Sequence, residues 1–456
     1  MKYFISVIAA VLLCITAVPR GSCKTLDQVQ ELDLHTAQQI ALADNPSLAA
    51  AAERVEQARQ RIEQAQALYW PSVDAGASAG YNKISQNSAD ILAMANNGQS
   101  IDRSSENYQL SLAASWLLFD GFSRNFSNLI AEYGKEESEQ ARRDAQRLLL
   151  QSVAESYYGA QLALYNKAIA QADFSFNSKQ ADDAKISMNA GAGSLSAVLN
   201  FQVQMNNAST ELLVAERDYE LALSGLALLL GRKSGKMPEG LKLNKVKMVA
   251  ENDFFTIEPE QLLAAANTNR PDLLRQKFSL QRADSTIGAE EAAYYPVIAL
   301  NGGVDGSRQD DFTFENDDFG ASLFVNLSYN LFRGRGDAAR IAEAKAAKRE
   351  AARDLEQQRN QVQSEVRQAI TRLEQAREQL VLQRASEKLV SQTRDLVEEG
   401  YKAGQESLAR FNEAQRDLVR TQSRLALSLI ALYTSRQRLK TATGESLLSF
   451  PVKEQN

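Results

Sequence analysis

Cysteine and histidine are almost missing from this chain of 456 residues. Both cysteines, Cys14 and Cys23, lie in or beside an apolar N-terminal segment, and His35 is the only histidine. Once that segment is removed, no thiol is left for a disulfide or a thiolate metal site. We expect His35 to be a solvated or packed side chain of a helix. The composition therefore argues against an enzyme and predicts no cofactor, no catalytic residues and no metal site.

Long apolar runs are also missing after Val18, so the sequence predicts no second membrane helix. The N-terminus has Lys2, an apolar run over residues 3–18 and then small and polar residues up to Cys23, which predicts a secretory signal peptide at 1–23. A single anchoring helix and a lipidated Cys23 are alternatives, and the cleavage point stays open. The net charge of −6 argues against a nucleic-acid-binding surface.

Proline and glycine are scarce in two long tracts, residues 124–189 and 337–403, which contain no proline. A helix of about 66 residues would reach about 100 Å at a rise of about 1.5 Å per residue. Apolar or small residues recur at alternating spacings of four and three, which is typical of helices packed along their lengths. Glycine-containing segments at about 190–194 and 403–407 then predict the tips of two antiparallel helical hairpins.

The chain carries the same short motifs twice. Residues 45–48 read Asn-Pro-Ser-Leu and residues 270–273 read Arg-Pro-Asp-Leu, an offset of 225. Residues 118–121 read Leu-Phe-Asp-Gly and residues 331–334 read Leu-Phe-Arg-Gly, an offset of 213, so the first copy has 12 extra residues in one loop. Such self-similarity indicates a duplicated unit. The predicted divisions are a first repeat at 24–231, a connecting segment at 232–257, a second repeat at 258–444 and a C-terminal tail at 445–456.

Alternation of apolar and polar residues at 108–118 and 319–331 predicts strands. Weaker partner strands precede them, which gives hairpins at about 72–119 and 297–332, joined by predicted solvent-facing loops at 85–105 and 308–317. These strands are long enough to cross a membrane when tilted. The aromatic residues predicted at the membrane interface are Tyr69, Trp70, Trp116, Phe119, Tyr294, Tyr295, Tyr329 and Phe332. An ordinary soluble hairpin packed on a helix is the alternative.

Four strands with two open edges cannot stand alone in lipid, because each unpaired backbone group there costs several kcal/mol. The strands must therefore close with strands of other subunits, and three chains would supply twelve strands, within the known range of barrels. A barrel continued by long helical hairpins is a conduit. A cell-envelope coiled-coil scaffold without a pore is the alternative function, although a scaffold has no need of the strands.

The duplicated plan, Tyr-Trp-Pro at 69–71 and Tyr-Tyr-Pro at 294–296, the Leu-Phe-x-Gly motifs and Gly-Tyr-Lys-Ala-Gly at 400–404 resemble the TolC-like outer membrane efflux family. The likeness covers about residues 32–444. It implies a mainly α fold with membrane β, in which a homotrimer forms a 12-stranded outer-membrane β-barrel and a periplasmic α-barrel. It also implies a periplasmic membrane-fusion adaptor and an inner-membrane transporter as partners, contact with outer-membrane lipid, and drug efflux or type I protein secretion as the function.

The same resemblance implies a gate at the hairpin tips. Tyr401 matches a tyrosine of the family's inter-helix lock, whereas Glu406 replaces its arginine and Ala197 its acid. The family's acidic positions correspond to Arg410 and Glu413, which we expect to pair along the helix or across the tip; a solvated surface pair is the alternative. The gate candidates are Tyr401, Glu406, Arg410, Glu413, Ala197 and Asn200. The adaptor-docking candidates are Gly191, Gly193, Ser194, Leu195, Gly404, Ser407 and Leu408.

Overall fold

The computed structural model describes residues 26–95, 99, 102–248 and 257–450. The predicted signal peptide, with Cys14 and Cys23, lies outside the described residues, as do parts of the predicted connecting segment and tail. The chain divides into two compact units, each built from separate stretches of both sequence copies. Of the described residues, those within 51–143 and 271–361 form the strand unit, and those within 26–50, 144–270 and 362–450 form the hairpin unit.

The helices are amphipathic or alanine-rich segments that end where the chain supplies a proline or a glycine. In chain order they are α1 Leu34–Asp44, α2 Pro46–Ala67, α3 Gln86–Ala95, α4 Ser123–Asn189, α5 Leu195–Leu229, α6 Pro259–Asn269, α7 Pro271–Glu291, α8 Gly336–Lys402 and α9 Leu408–Ala442. The strands are β1 Glu31–Leu32, β2 Ser72–Lys83, β3 Ser104–Phe119, β4 Lys242–Leu243, β5 Val297–Gln309 and β6 Phe319–Ser328.

The two long helices, α4 and α8, have 67 residues each, and α5 and α9 have 35 each. The fold-class prediction of long helical hairpins with a few strands is confirmed. Each hairpin turns at a glycine with positive φ, +77° at Gly191 and +72° at Gly404. Ser194 and Ser407 then cap the following helices, since each hydroxyl accepts a hydrogen bond from a backbone N–H three residues later.

The strand unit contains a four-stranded antiparallel sheet in the order β2-β3-β5-β6. The β3–β5 pairing joins the two copies, with Leu112 opposite Val304. Within the described chain, β2 and β6 are edge strands with no partner on their outer sides. The sheet is therefore open at both edges.

Two expectations about the strand segments need correction. The predicted loop at 85–105 contains helix α3, which Ser85 caps by accepting a hydrogen bond from the Ser88 N–H at 3.2 Å. The second is that β6 ends at Ser328, before the predicted end at 331. The Asn330 side chain instead donates to Asp337 at 2.9 Å, so this segment serves the start of α8.

The core of the hairpin unit includes a contact that local patterns did not predict, the parallel pairing of β1 with β4. Tyr157 of α4 fixes this pair, because its hydroxyl lies 3.1 Å from the carbonyl oxygens of Leu32 and Asn244. Burial raises the pKa of Tyr157 to about 12. His35 remains exposed, and its ring stacks on that of Phe450 with the ring centres 5.0 Å apart.

The hairpin unit also repeats its contacts in the two copies. Asn45 donates its side-chain amide to the carbonyl of Leu229 at 3.0 Å, and Arg270 donates to the carbonyl of Ala442 at 3.3 Å. These donors are related by the sequence offset of 225, and the acceptors by the offset of 213. The duplicated motifs therefore correspond to duplicated packing.

Candidate functional site

The open sheet has one apolar face. Because side chains alternate along a strand, the register places Leu112 beside Val304, and Val304 beside Ala321, on the same face. The larger apolar residues of this face are Val73, Tyr81, Tyr108, Leu110, Leu112, Trp116, Ile298, Leu300, Val304, Phe319, Leu323, Val325 and Leu327. Leu323 is 75% exposed and Leu327 is 65% exposed. A broad exposed apolar face of this kind suits contact with lipid.

The opposite face of the sheet carries small and polar residues. In β6 they are Gly320, Ser322, Asn326 and Ser328, with Phe324 as the exception. Asp74 of β2 and Asp305 of β5 also lie on this face. A membrane β-barrel with a water-filled channel has apolar side chains on its outer face and polar side chains on its inner face, and the two faces of this sheet follow that pattern.

The predicted interface aromatics lie close to the strand ends and remain mostly exposed. Trp116 donates its indole N–H to the carbonyl of Tyr69 at 3.0 Å, which ties the end of β3 to the segment before β2. Trp70, Tyr294, Tyr295, Tyr329 and Phe332 are exposed, and Phe119 is half-buried. Aromatic side chains are favoured at a membrane–water boundary. Contact with that boundary stays a prediction for these residues.

A buried ion pair joins β3 to α4. The Arg124 guanidinium lies 3.1 Å from the Asp120 carboxylate and donates to the carbonyls of Leu117 and Leu118 at 2.7 and 3.1 Å. It also lies over the Tyr69 ring at 5.0 Å. The Arg124 side chain therefore supplies hydrogen-bond donors to backbone carbonyl groups at the end of β3, close to the start of α4.

The second copy has the same junction with its charges reversed. At the offset of 213, Arg333 replaces Asp120 and Asp337 replaces Arg124. Asp337 is buried, pairs with Arg340 three residues later, and lies 3.9 Å from the exposed Arg333. The change of charge is visible in the sequence as Asp-Gly at 120–121 and Arg-Gly at 333–334. The sequence alone did not show that each of these charged residues lies near an opposite charge four positions later.

The tip residues predicted to dock a partner are exposed, except Leu408, which is half-buried. Leu195 is 60% exposed. At Gly191 and Gly404 an added Cβ would meet nothing within 4 Å, whereas at Gly193 it would lie 2.9 Å from the backbone N of Met188. Two of the three tip glycines therefore leave open space beside them.

The gate candidates lie near the same turns, although the structure does not gather them into one group. Arg410 lies 2.8 Å from Glu413 along α9, and this hydrogen-bonded acid raises the pKa of Arg410. The Glu406 side chain packs over Gly400. Asn200 accepts a hydrogen bond from Asn412 at 2.8 Å, and the Ala197 N–H donates to the Ser194 hydroxyl.

Tyr401 belongs to an aromatic group that sequence reasoning missed. It stacks on Phe411 at 5.1 Å, with the ring planes 12° apart, and Phe201 lies 6.4 Å from both rings. Phe411 is 1% exposed and Phe201 is 2% exposed. Burial raises the pKa of Tyr401. We call Phe176, Phe201, Tyr401 and Phe411 the aromatic clamp.

A polar group borders the clamp on α8. Glu398 lies within 2.7 Å of both Arg394 and Lys402. Burial raises the pKa of Glu398, but the hydrogen bond and charge of Lys402 and the charge of Arg394 outweigh it and leave this pKa below 4.5.

No described helix combines the length and the apolar character needed to span a bilayer. Among the same residues, no three His, Cys, Asp or Glu side chains come together as a metal-binding group.

Comparisons with known proteins match this geometry. The outer membrane efflux protein family matches residues 37–232 and 262–445. The probable outer membrane lipoprotein SilC of Salmonella typhimurium is 27% identical over 270 residues, 59% of this chain, and the match spans only 54% of SilC. The cation efflux system protein CusC of Escherichia coli O6:H1 is 25% identical over 413 residues, 89% of this chain and 84% of CusC.

Solved structures show the same fold. A CusC crystal structure has a TM-score of 0.75 at 20% identity and covers 94% of this chain and 95% of its own. The CmeC outer membrane channel of Campylobacter jejuni has a TM-score of 0.77 at 17% identity and covers 91% of this chain and 86% of its own. With most of its length matched in sequence and in fold, this chain belongs to the outer membrane efflux protein family.

Proposed function

We propose that the chain is the outer-membrane exit duct of a tripartite efflux pump or type I secretion system. The open four-stranded sheet with one apolar face carries this proposal. Relatives support it, since CusC is a cation efflux system protein and TtgC of Pseudomonas putida is a probable efflux pump outer membrane protein. The family match gives no support to a scaffold without a pore.

The duct is a homotrimer. Two open edges per chain, at β2 and β6, leave backbone groups unpaired, which lipid does not tolerate. Pairing β2 of one copy with β6 of the next closes the sheet, and three copies of the four strands give twelve. The apolar face then contacts outer-membrane lipid, and the polar face lines the pore.

The hairpin tips meet a periplasmic membrane-fusion adaptor, which links the duct to an inner-membrane transporter. The exposed Leu195 and the open space beside Gly191 and Gly404 support docking at this end. The gate lies at the same end, with Tyr401, Glu406, Arg410, Glu413, Ala197 and Asn200 as its candidate residues. The two repeats, 24–231 and 258–444, supply one hairpin each.

Isolation from the outer membrane followed by mass determination and planar-bilayer recording tests the duct. We expect a trimer that gives discrete single-channel conductance. A soluble monomer, or a trimer that never conducts, would contradict the proposal. For the gate, an Arg410→Ala and Glu413→Ala double variant should change conductance or ion selectivity, and unchanged values would remove both residues from the pore.

A further inference from the structure

The loop between β5 and β6 carries two phenylalanines that pack back onto the sheet. Phe312 meets Tyr108 of β3 edge to face, with the ring centres 5.3 Å apart, and Phe314 lies 5.6 Å from Phe319 of β6. The centres of the two loop rings are 6.4 Å apart. Aromatic pairs at such separations attract one another beyond the burial of their area. We call Tyr108, Phe312, Phe314 and Phe319 the outer aromatic row.

The outer aromatic row lies on the apolar face of the sheet. Tyr108 and Phe319 both belong to that face, on β3 and β6, with β5 between them. Gly306 of β5 is the register partner of Phe319, and an added Cβ at Gly306 would lie 2.7 Å from the Phe319 ring. Because glycine has no side chain, the ring can lie close to β5. The row therefore crosses from β3 to β6 at the end of the sheet next to the loop.

Hydrogen bonds hold the loop in this position. The Asp310 carboxylate accepts from the Glu106 backbone N–H at 2.7 Å, and the Asp310 N–H donates to the Glu106 carbonyl at 2.7 Å. Arg308 donates to the Asp318 carboxylate at 2.8 Å. Residues 308–318 contain five acids and one arginine, and that arginine is paired. The loop therefore has no free cation for an anionic head group, and any contact with lipid must be apolar.

The row lies at the opposite end of the strands from the predicted interface aromatics. Tyr108 is near the start of β3, whereas Phe119 ends that strand, and eleven positions separate them. At a rise of about 3.3 Å per residue and a tilt of about 40°, the two residues lie about 28 Å apart across a bilayer, close to the apolar band of about 25 Å typical of outer-membrane barrels. Aromatic residues flank such a band at both boundaries. The residues predicted from the sequence supply only the boundary next to the helices.

We propose that the β5–β6 loop binds membrane lipid, with Phe312 inserted just below the head groups of the outer leaflet, and that the outer aromatic row sets how deeply the sheet sits in the bilayer. Lipid is the occupant because the row continues the apolar face of the sheet, and Phe312 is 71% exposed beside that face. The helices extend into the periplasm, so the loop end of the sheet reaches the outer leaflet.

This assignment changes the role of a segment that the sequence predicts to face solvent, residues 308–317. The prediction followed from the Asp, Asn and Thr residues around the two phenylalanines. The structure shows that three of those acids, Asp310, Asp311 and Asp318, accept hydrogen bonds or ion pairs from the loop and from β3. The inference rests on the proposed lipid contact of the apolar face and adds a contact that lies outside the strands.

Tryptophan fluorescence measures the depth of single positions in a bilayer. Trp70→Phe and Trp116→Phe remove both native tryptophans. In that background Phe312→Trp reports on the loop, Leu323→Trp on the apolar face about 10 Å deeper at the same rise and tilt, and Phe324→Trp on the polar face. Each variant, confirmed as a trimer by its mass, is placed in phosphatidylcholine vesicles brominated near the carbonyl end or near the methyl end of the acyl chains. Iodide is the quencher in water.

We expect bromine near the carbonyl end to quench Phe312→Trp severalfold more than bromine near the methyl end. Leu323→Trp should show the reverse order, and Phe324→Trp should be quenched by iodide and by neither lipid. Adding anionic phosphatidylglycerol should leave the quenching of Phe312→Trp unchanged, because the contact is apolar.

Two results for Phe312→Trp would overturn the inference while Leu323→Trp is quenched by lipid. Quenching by iodide alone would place the loop in water, and protection from iodide and both lipids would place Phe312 against protein, such as a second copy. If neither lipid quenches Leu323→Trp, the proposed lipid contact of the apolar face fails, and the inference fails with it.

Discussion

Single residues at the strand-to-helix junctions show that duplication need not conserve charge. Arg124 in the first copy and Asp337 in the second are both buried, and each has an oppositely charged residue four positions earlier. Each also bonds locally, Arg124 to strand carbonyls and Asp337 to Asn330. The junction between strand and helix therefore accommodates a buried charged side chain that has ion-pair and hydrogen-bond partners. A positive charge serves in the first copy and a negative charge in the second.

Arg124→Met should destabilise the protein strongly, because it leaves the buried Asp120 without its cation. Removing one partner of a buried pair costs about 3–5 kcal/mol. Arg333→Met is the matched control in the second copy, where the arginine side chain is 59% exposed and the loss should stay below about 1 kcal/mol. Thermal unfolding of the purified protein measures both, and equal losses would contradict the difference.

The lowered pKa of Glu398 leads us to expect that the stability of the protein depends on pH. Its folded pKa lies below the ordinary 4.5, so its stabilisation is present above pH 4.5 and is lost as the pH falls through the lowered value. Glu398→Gln should therefore lower the melting temperature at pH 7, and the difference from the parent should shrink below pH 4.5. Glu356→Gln, in an exposed pair on the same helix, is the control. A difference that is constant with pH would contradict this role.

Among the elements, the hairpin turns combine a conformational need with a proposed docking role. Gly404 has a φ of +72°, so any other residue is strained there. Gly404→Ala introduces that strain without bulk, whereas Gly404→Trp adds a large side chain to the open space beside the turn. Comparing the two variants separates backbone strain from steric obstruction.

We expect Gly404→Trp to abolish export while the trimer and its conductance persist, and Gly404→Ala to retain most of its export. Export from intact cells and the mass of the purified protein are the measurements. Full export by Gly404→Trp would remove this turn from the adaptor contact.

The elements also show which parts of the fold local patterns reveal. Long helices without proline and the strands with clear alternation were predicted to within a few residues, because both signals lie in neighbouring positions. Helix α3 was missed because its Ser- and Asn-rich surroundings are typical of loops, although Ser85 and the Gln86–Asp90 hydrogen bond stabilise it. The β1–β4 pair was missed because its strands have only two residues each.

At the scale of the whole molecule, lipid contact should depend on which face of the sheet is changed. Leu323→Arg places a charge on the apolar face, which costs about 2–4 kcal/mol near the middle of a bilayer. Ser322→Arg, one residue earlier, places the same charge on the polar face and serves as the control. We expect the amount of trimer in the outer membrane to fall for Leu323→Arg alone. Equal effects would contradict the assignment of the faces.

The amino-acid sequence by itself determined the duplication, the helical hairpins and the strands, because periodicity and motif offsets are properties of neighbouring or repeated positions. Tertiary structure alone decided the partners of buried groups, such as Phe201 with Tyr401 and Tyr157 with Asn244. Phe201 and Tyr401 are 200 positions apart, and no local pattern specifies which side chain another will meet at that separation. The physical reason is that burial and ion pairing depend on packing between helices, whereas helix and strand formation depend on each segment's own spacing of apolar residues.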